Sequence, residues 1–427
     1  MNNTTQTDQN QYDVIIAGGG LSGTLSALGL ASQTKADGSP LSIAIIEAND
    51  IQQTPKLTFD SRVLALSHGS VEYLKSLNVW QDIAPHAATI KNIHISDRGY
   101  YGKARLTAKD HQVSALGYVV EMSVLGQAFL SKLTQLQSLQ KASEITSTKP
   151  LKSVTANITW FCPDHITGIN WQQDSVKVNL NSSQQLSAKL LLACDGGQST
   201  CRQFANIAST TKSYEQCALI ANVSMAKAHQ DIAFERFTES GPIAVLPLTD
   251  SGKESHKCSL VWTLTPEQAA KLVALDETQF KLELELAFGS WLGKVEKVGE
   301  RVMYPLNLVQ ANEQVYHRMA LIGNASHTIH PIAGQGFNLG LRDVQQLCDC
   351  IAFNIRQNLD IADFSALMRY ANARKADHQQ VIKLTDSLVT LFSNDLPPLV
   401  AGRNIGLKVL NYCTPLKNCL VNKTMGY

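Results

Sequence analysis

The sequence predicts an α/β fold with three parts. They are a nucleotide-binding domain on a parallel sheet, a mainly β-sheet second domain interleaved with it, and a helical C-terminal region. Three observations predict it. The apolar run YDVIIA (Tyr12 to Ala17) leads into the glycines of GGGLSG and then into LSALGLASQ, whose apolar residues recur at helical spacing. With the next apolar run, LSIAIIE ending at Glu47, this makes a strand, helix, strand unit of Rossmann type. From about residue 206 to 304 short strand segments crowd together (LIANVSM, AFERFT, IAVLPL, CSLVWTL), and from Phe337 to about Leu391 the pattern is helical again.

Between these landmarks, Val63 to Leu77 and Val124 to Leu136 read as helices. The stretch from Ile166 to Cys194 alternates as a hairpin and then becomes the buried strand LLLAC, ending at Asp195. The expected division assigns residues 1–85, 115–205 and 305–365 to the nucleotide-binding domain and 86–114 with 206–304 to the second domain. Residues 366–427 form the C-terminal region. No internal repeat or low-complexity segment interrupts this plan.

A chain of 427 residues, 44% hydrophobic and 17% charged, is long enough for two domains with buried cores. Thirty-seven Lys and Arg against 36 Asp and Glu give a net charge of +1, which provides no field for a nucleic-acid backbone. A nucleic-acid partner is therefore not expected. The nine cysteines are scattered without a CxxC pair and read as reduced thiols of a reducing compartment. The polar start lacks a basic residue followed by an apolar core, and no apolar run approaches the roughly 18 residues of a membrane span. A cytoplasmic protein is expected, with peripheral attachment to the inner membrane left open.

Three glycine-bearing stretches carry the chemistry. Gly18, Gly20 and Gly23 suit a backbone that turns tightly against a pyrophosphate held by free helix amides, with Glu47 positioned for ribose hydroxyls. Asp195 and Gly196 open DGGQSTCR at a strand's C-terminal end, where an open parallel sheet binds ligands, although Asp-Gly is also a common turn. The third stretch, GNASHTIHPIAGQGFNLG (Gly323 to Gly340), sets Gly334 and Gly336 before a helix whose dipole can face an anion. His327 and His330 lack a third ligand nearby in sequence, so packed or hydrogen-bonding histidines are expected and no metal.

In this order GGGLSG, the DSR at Asp60 to Arg62, DGGQSTCR and GNASHTIHPIAGQGFNLG resemble the class A flavoprotein monooxygenases, aromatic hydroxylases that bind FAD. ISDRGYYG, SYEQCALIANV, AFERFT, TDSLVTLF, GRNIGLKVLN and a late motif reading Gly-Asn where most relatives have Gly-Asp are similar to their ubiquinone-biosynthesis branch. The resemblance implies the para-hydroxybenzoate hydroxylase-like arrangement. It also implies that Gly18, Gly20 and Gly23 hold the FAD pyrophosphate, Glu47 the adenosine ribose and Arg62 the length of the cofactor. Asp195 with Gly196 would serve FAD and the incoming nicotinamide, and Asn324 a ribityl hydroxyl. The loop with Pro331, Gly334, Gln335, Gly336 and Asn338 would flank the flavin ring. Ser123 stands near where many relatives carry an Arg toward the cofactor.

By the same resemblance the reaction is the hydroxylation of a polyprenylated phenol, 2-polyprenyl-6-methoxyphenol, through a flavin hydroperoxide, with NADPH or NADH as electron donor and molecular oxygen as co-substrate. Another ring position, another aromatic substrate, or a non-catalytic carrier of prenyl lipids or assembly subunit on the same fold are the alternatives. Phe234, Phe237, Pro247 and Trp262 are candidates for the substrate face, sheet core being the other reading of each. The tail, with Lys408, Lys417 and Lys423, could attach to a membrane surface, cap the FAD domain or form a dimer contact. Other ubiquinone-biosynthesis proteins are further candidate partners, and the group that deprotonates the phenol has no signature in the sequence.

Overall fold

The computed structural model describes residues 10–50, 61–145, 157–249, 255–392 and 397–413, together with 415, 417, 418, 421, 425 and 426. Asp60 and Lys423 lie outside the described residues. The chain begins with β1 (Gln11–Ala17), α1 (Leu21–Ala31), β2 (Ser42–Ile46), β3 (Val63–Ser67), α2 (His68–Ser76), α3 (Trp80–Ile83), β4 (Ala88–Ile90), β5 (Asn92–Asp97) and β6 (Lys103–Thr107). It continues with β7 (Gly117–Glu121), α4 (Met122–Ile145), β8 (Asn157–Phe161), β9 (Ile166–Trp171), β10 (Val176–Leu180), β11 (Gln185–Ala193) and α5 (Thr200–Phe204). Next come β12 (Ser209–Met225), β13 (Ile232–Thr238), β14 (Gly241–Pro247), β15 (Lys257–Leu264), α6 (Pro266–Ala274), α7 (Glu277–Phe288), β16 (Val295–Val298) and β17 (Val302–Ala311). The last elements are β18 (Val315–Tyr316), β19 (Met319–Leu321), β20 (His327–Thr328), α8 (Gln335–Arg356), α9 (Phe364–Phe392) and α10 (Pro397–Tyr412).

The strand, helix, strand unit forms as the apolar pattern predicts, and β1 sits between β11 and β2 in a parallel sheet that β19 and β8 extend on either side. Its strands are covered on both faces, which is why VIIA and LLLA are continuously apolar rather than alternating. The expected hairpin is β9–β10, and β10 returns antiparallel onto β11. One expectation needs correcting. Val63 to Leu77 is not a single helix, because Val63 to Ser67 pair with β7 as β3, and Ser67 then caps α2 by accepting from the Ser70 amide.

A second sheet of nine strands contains residues on both sides of the expected boundary at 304, since β17 runs to Ala311 and β20 joins its edge. Its two faces differ. On the outer face Phe234, Ile243, Val245, Leu260, Trp262 and Leu219 pack against Phe280, Leu284 and Phe288 of α7. On the inner face Ile95, Glu235, Ala244, Val261 and Ile220 lie abreast across β5, β13, β14, β15 and β12. Glu235, Ala244, Val261 and Ile220 of this row are only half-buried, whereas the outer residues are buried.

The inner face is covered at its two ends. At one end Val63, Ala88, Ile90 and Val119 of the small β3–β7–β4 sheet pack on Ala233, Leu246 and Leu248. At the other, Phe392, Leu388 and Leu391 of α9 and Leu407 of α10 pack on Phe237 and Ala104, with the Phe237 and Phe392 rings stacked 3.7 Å apart. This sorts the aromatic candidates by the two-residue pleat. Phe234 and Trp262 are outer-face core, Pro247 shares their parity, and Phe237 alone of the four points inward.

Candidate functional site

Three loops meet at the carboxyl ends of neighbouring parallel strands β1, β11 and β19, the place where an open α/β sheet leaves room for a ligand. The first is the glycine turn after β1. Gly18 has φ +98°, and a Cβ there would lie 2.5 Å from the Cys194 carbonyl oxygen. A Cβ at Gly23 would lie 1.8 Å from the Gly18 oxygen, so both positions exclude a side chain. Gly20 is different, because nothing lies within 4 Å of the position its Cβ would take. It is also the N-cap of α1, and no side chain caps that end. The contrast with α2, α5, α6 and α7, each closed by a Ser, Thr or Asp side chain, marks the α1 amides as free donors facing open space.

Glu47 follows β2. One carboxylate oxygen accepts from the Gly19 amide at 2.7 Å, and the other from the Asn49 amide at 2.8 Å and its side chain at 3.0 Å. The carboxylate is thereby oriented, and the oxygen bonded to Gly19 keeps a lone pair for a hydroxyl. The exposed Arg62 precedes β3, and its carbonyl accepts from the Met122 amide, which brings it beside Ser123. The Ser123 hydroxyl is buried without a hydrogen-bond partner among the described residues.

The second loop carries Asp195 and Gly196. Asp195 Oδ2 accepts from the Cys201 amide at 2.9 Å, while Oδ1 is buried with no partner among the described residues. Gly196 has φ +83° and open space where a Cβ would point. An orphaned carboxylate oxygen beside open backbone is what a missing hydroxyl donor leaves behind.

The third loop begins after β19. Gly323, with φ +58°, comes within 2.9 Å of the Ser22 hydroxyl at its Cβ position and presses on Gly340, so the two glycine-rich stretches touch although they stand at opposite ends of the chain. Asn324 follows and is exposed. Arg202, which carries no signal in the sequence, ties the second loop to the third, donating to the Gly197 carbonyl and to the Ala325 carbonyl, each at 2.8 Å. Pro331 leads into a tight turn. Gly334, with φ +61°, is the N-cap of α8 and again has no side-chain cap; it rests on Ala65 of β3. Gln335 and Gly336 already belong to the first turn of α8.

Asn338 has a different position from the one its motif suggests. It is buried, and its amide is fully used: Oδ1 accepts from the Ser67 amide (2.8 Å) and the Ser70 hydroxyl (2.7 Å). Nδ2 donates to the carbonyls of Ala65 (2.8 Å) and Gly334 (2.7 Å). Its side chain pins the third loop onto β3 and α2 and has no bond left for a ligand.

The two histidines separate. His330 accepts from the Ile332 amide through Nδ1 and lies edge-on to Tyr214, and burial holds it down at about 4. His327 joins Asp343 and His378 in a buried group whose ligand-type atoms lie within 4.8 Å of one another. Sequence spacing hides this group because its members come from three elements. Asp343 is already engaged by Arg374 (2.7 Å), His378 (2.8 Å) and the Gly323 amide (3.1 Å). Burial works to raise its carboxyl, and His378, His327 and Arg374 together hold it well below the usual range. The cluster is an ion-paired strut beneath the Asn324 turn, with its positive partner supplied by arginine.

The residues fit an extended dinucleotide cofactor: two uncapped glycine-headed helices, a tethered acid after β2, an orphaned carboxylate oxygen and glycines whose missing Cβ atoms leave open space. Over residues 11–385 the chain matches the family described as FAD binding domain. It is 32% identical over 419 residues to the ubiquinone hydroxylase UbiL of Rhodospirillum rubrum, covering 97% of this chain and 89% of that one. It is 30% identical to the human mitochondrial ubiquinone biosynthesis monooxygenase COQ6, covering 95% and 91%. In fold it is similar to p-nitrophenol 4-monooxygenase PnpA of Pseudomonas putida, with a TM-score of 0.74, 16% identity and coverage of 98% and 99%. It is similar also to PqsL of Pseudomonas aeruginosa, a probable FAD-dependent monooxygenase, with a TM-score of 0.71, 17% identity and coverage of 93% and 100%. The chain therefore belongs to the FAD-binding-domain family of flavoprotein monooxygenases.

Proposed function

We propose that this protein hydroxylates the aromatic ring of a 2-polyprenyl-6-methoxyphenol in ubiquinone biosynthesis, consuming NAD(P)H and oxygen. The observation that carries the reading is the joint geometry: a cradle for FAD at the ends of β1, β11 and β19, joined through β3 to the half-open inner face of the second sheet. The chain's likeness to a ubiquinone hydroxylase and to a ubiquinone biosynthesis monooxygenase supports the same substrate class.

When bound, FAD supplies an electrophilic oxygen atom drawn from O2 with two electrons from NAD(P)H. The chain's own residues do the rest. The α1 amides would hold the pyrophosphate, Glu47 the ribose, Asp195 Oδ1 a hydroxyl donor, and Asn324 the ribityl chain. The uncapped N-terminus of α8, with Gln335 and Gly336 in its first turn, would face the ring, where a helix end stabilises negative charge by about 0.3 to 2 kcal/mol. The small sheet on one side and α9 with α10 on the other cover the two ends of the inner face and would limit the access of water to the reacting groups between them.

A polyprenyl chain resides in the bilayer, so the enzyme must meet a membrane surface or receive its substrate from a partner. No described helix is long and apolar enough to cross a membrane. On α10, Ile405, Val409 and Tyr412 form one exposed stripe, 62%, 45% and 82% accessible. Tyr101, 85% accessible, stands beside Lys408 at its edge. The sequence from residue 396 onward contains no acid. An uncharged stripe with aromatic and basic edges suits the interface of an anionic bilayer.

Mass spectrometry of quinone-pathway lipids in aerobic cells lacking the chain tests the reading. Accumulation of a polyprenyl-methoxyphenol lacking one ring hydroxyl, with loss of ubiquinone, is the expected result. An intermediate lacking a different oxygen would move the ring position, and unchanged ubiquinone in cells without a second hydroxylase would overturn the pathway assignment.

A further inference from the structure

We propose that Glu235 is the base that takes the proton from the substrate's phenol hydroxyl; the proposal deepens the reading above and rests on its phenol substrate. Glu235 lies in the middle of β13 on the inner face of the second sheet, abreast of Ile95 and Ala244. Its row continues through Val261 and Ile220, so the carboxylate stands alone in an apolar strip. Its side chain is half-buried on this face and keeps accessible surface. The two covers of the inner face reach its neighbours on either side, the small sheet at Ala233 and α9 at Phe237, and leave Glu235 in the gap between them.

The cofactor side of that gap is close at hand. β3 touches the expected flavin-ring loop through Ala65, which meets Gly334, and two residues earlier Val63 packs in the cluster that contains Ala233. Asn222, on the inner face of β12, donates to the Ser61 carbonyl just ahead of Arg62. The row containing Glu235 thus fronts the segment between the ring loop and the second sheet.

Charged groups facing the strip from the surrounding elements are satisfied elsewhere. Asp97 of β5 is held by Arg403 of α10 at 2.7 Å, Lys257 of β15 by Glu121 of β7 at 3.3 Å, and Asp386 of α9 pairs with Lys212 and Tyr214. Among the described residues the Glu235 carboxyl has no hydrogen-bond or ion-pair partner. A carboxylate without a partner is costly in an apolar recess, and its retention there calls for a ligand that satisfies it. Burial alone pushes the carboxyl up to about 7, a value suited to a general base near neutral pH.

The step balances simply. The phenol proton passes to a Glu235 oxygen, and the phenolate's electron pair drives a ring carbon to form the new C–O bond with the electrophilic oxygen atom. That carbon then gives up its hydrogen as a proton, while Glu235 returns its own to the oxygen that had become a carbonyl, so the residue ends unchanged. Overall, substrate, O2, NAD(P)H and one proton give hydroxylated product, water and NAD(P)+.

The test uses FAD-loaded wild type, Glu235→Gln and Glu235→Asp with the short-chain analogue 2-methoxy-6-prenylphenol. Flavin content and the rate of flavin reduction by NAD(P)H report folding and cofactor binding. E235Q is expected to keep both, to lose about 100-fold or more in hydroxylation, and to divert its NAD(P)H consumption to hydrogen peroxide. E235D should recover part of the loss. Wild type should show an acid limb of kcat/KM near pH 7, and E235Q should lack it. Hydroxylation by E235Q within about 3-fold of wild type, with an unchanged acid limb, would overturn the proposal while leaving the phenol reading intact. A wild-type enzyme that binds FAD and hydroxylates no phenol would overturn both.

Discussion

Replacing Asn338 by Asp changes one atom type and little volume, yet it reverses the two hydrogen bonds that matter most to the flavin-ring loop. The amide orientation is fixed by its partners, since the Ser67 amide can only donate and the carbonyls of Ala65 and Gly334 can only accept. An ionised carboxylate in place of the amide would turn an acceptor toward both carbonyls. The least costly escape is protonation. From an ordinary carboxyl pKa of about 3.9 this costs about 4 kcal/mol at pH 7, at 1.36 kcal/mol per unit. The protonated group donates once, so one buried carbonyl stays unpaired at about 1 to 3 kcal/mol. The deficit is therefore about 5 to 7 kcal/mol at pH 7. The native carboxyl binds its proton more tightly than the unfolded one, so the mutant loses stability relative to wild type as pH rises between the two pKa values. At about pH 4.5 the protonation cost falls to about 1 kcal/mol, and the deficit shrinks by about 3. Urea unfolding of both proteins at the two pH values measures this, and FAD fluorescence titration should show weakened binding at pH 7. A deficit that is small and the same at both pH values would refute the assignment of Asn338 as the clamp of this loop.

Gly20→Ala and Gly23→Ala should part company: G20A meets open space and leaves an apoprotein within about 1 kcal/mol of wild type that binds FAD poorly. G23A drives its methyl onto the Gly18 oxygen and should lose soluble protein as well as flavin, as thermal melts and flavin absorbance would report. His94 is buried against Phe234 and Trp291, and burial, followed by Arg105, Lys103 and Arg236, lowers it to about 4. Because the unfolded chain binds that proton and the native one does not, stability falls as pH drops below about 6.5, and His94→Phe should remove about 2 kcal/mol of the loss between about pH 7.5 and pH 4.5 in denaturant titrations. Ile405→Glu with Val409→Glu should abolish sedimentation with anionic vesicles while leaving FAD binding and thermal stability unchanged, both side chains being exposed; vesicle binding equal to wild type would clear α10 of that role.

Much of the fold is legible in the sequence because its signals are local. The turn after β1, the acid after β2 and the Asp-Gly after β11 sit on consecutive elements, where strand, glycine and helix follow one another within a few residues. Val63 to Ser67 reads as helix because VLALS runs without a break into an amphipathic helix, and only pairing with β7, more than fifty residues later, selects the strand. The same limit hides the rest of the site. Arg202 looks like a helix-terminal charge until Ala325 arrives beside it, and Asp343 looks like an ordinary helix acid until Arg374 and His378 close around it. Pleat parity decides among the aromatics, since Phe234 and Phe237 differ by three residues and must face opposite sides. Glu235 carries no signal because AFERFT reads only as one short strand among several, and its isolation becomes visible only when neighbouring strands line its row with apolar side chains.

These long-range contacts show why the cofactor cradle does not behave as three separate loops. Arg202 joins the Asp195 loop to the Asn324 turn, and Asp343 holds that same turn from below through the Gly323 amide. Asn338 fixes the following loop to β3, which continues to the inner face where Glu235 stands. Each tie is a buried hydrogen bond to backbone, so loss of any one leaves a polar group unpaired at about 1 to 3 kcal/mol. Such ties hold the loops at fixed spacing before any ligand arrives, and a cradle so fixed loses little ordering entropy on binding. Among the described residues of the site the groups left free include the α1 and α8 amides, Asp195 Oδ1, the Ser123 hydroxyl and, on the inner face of the second sheet, the Glu235 carboxyl. On the proposed reading these unsatisfied groups would be met by an anionic dinucleotide on one wall and a hydroxyl donor on the other.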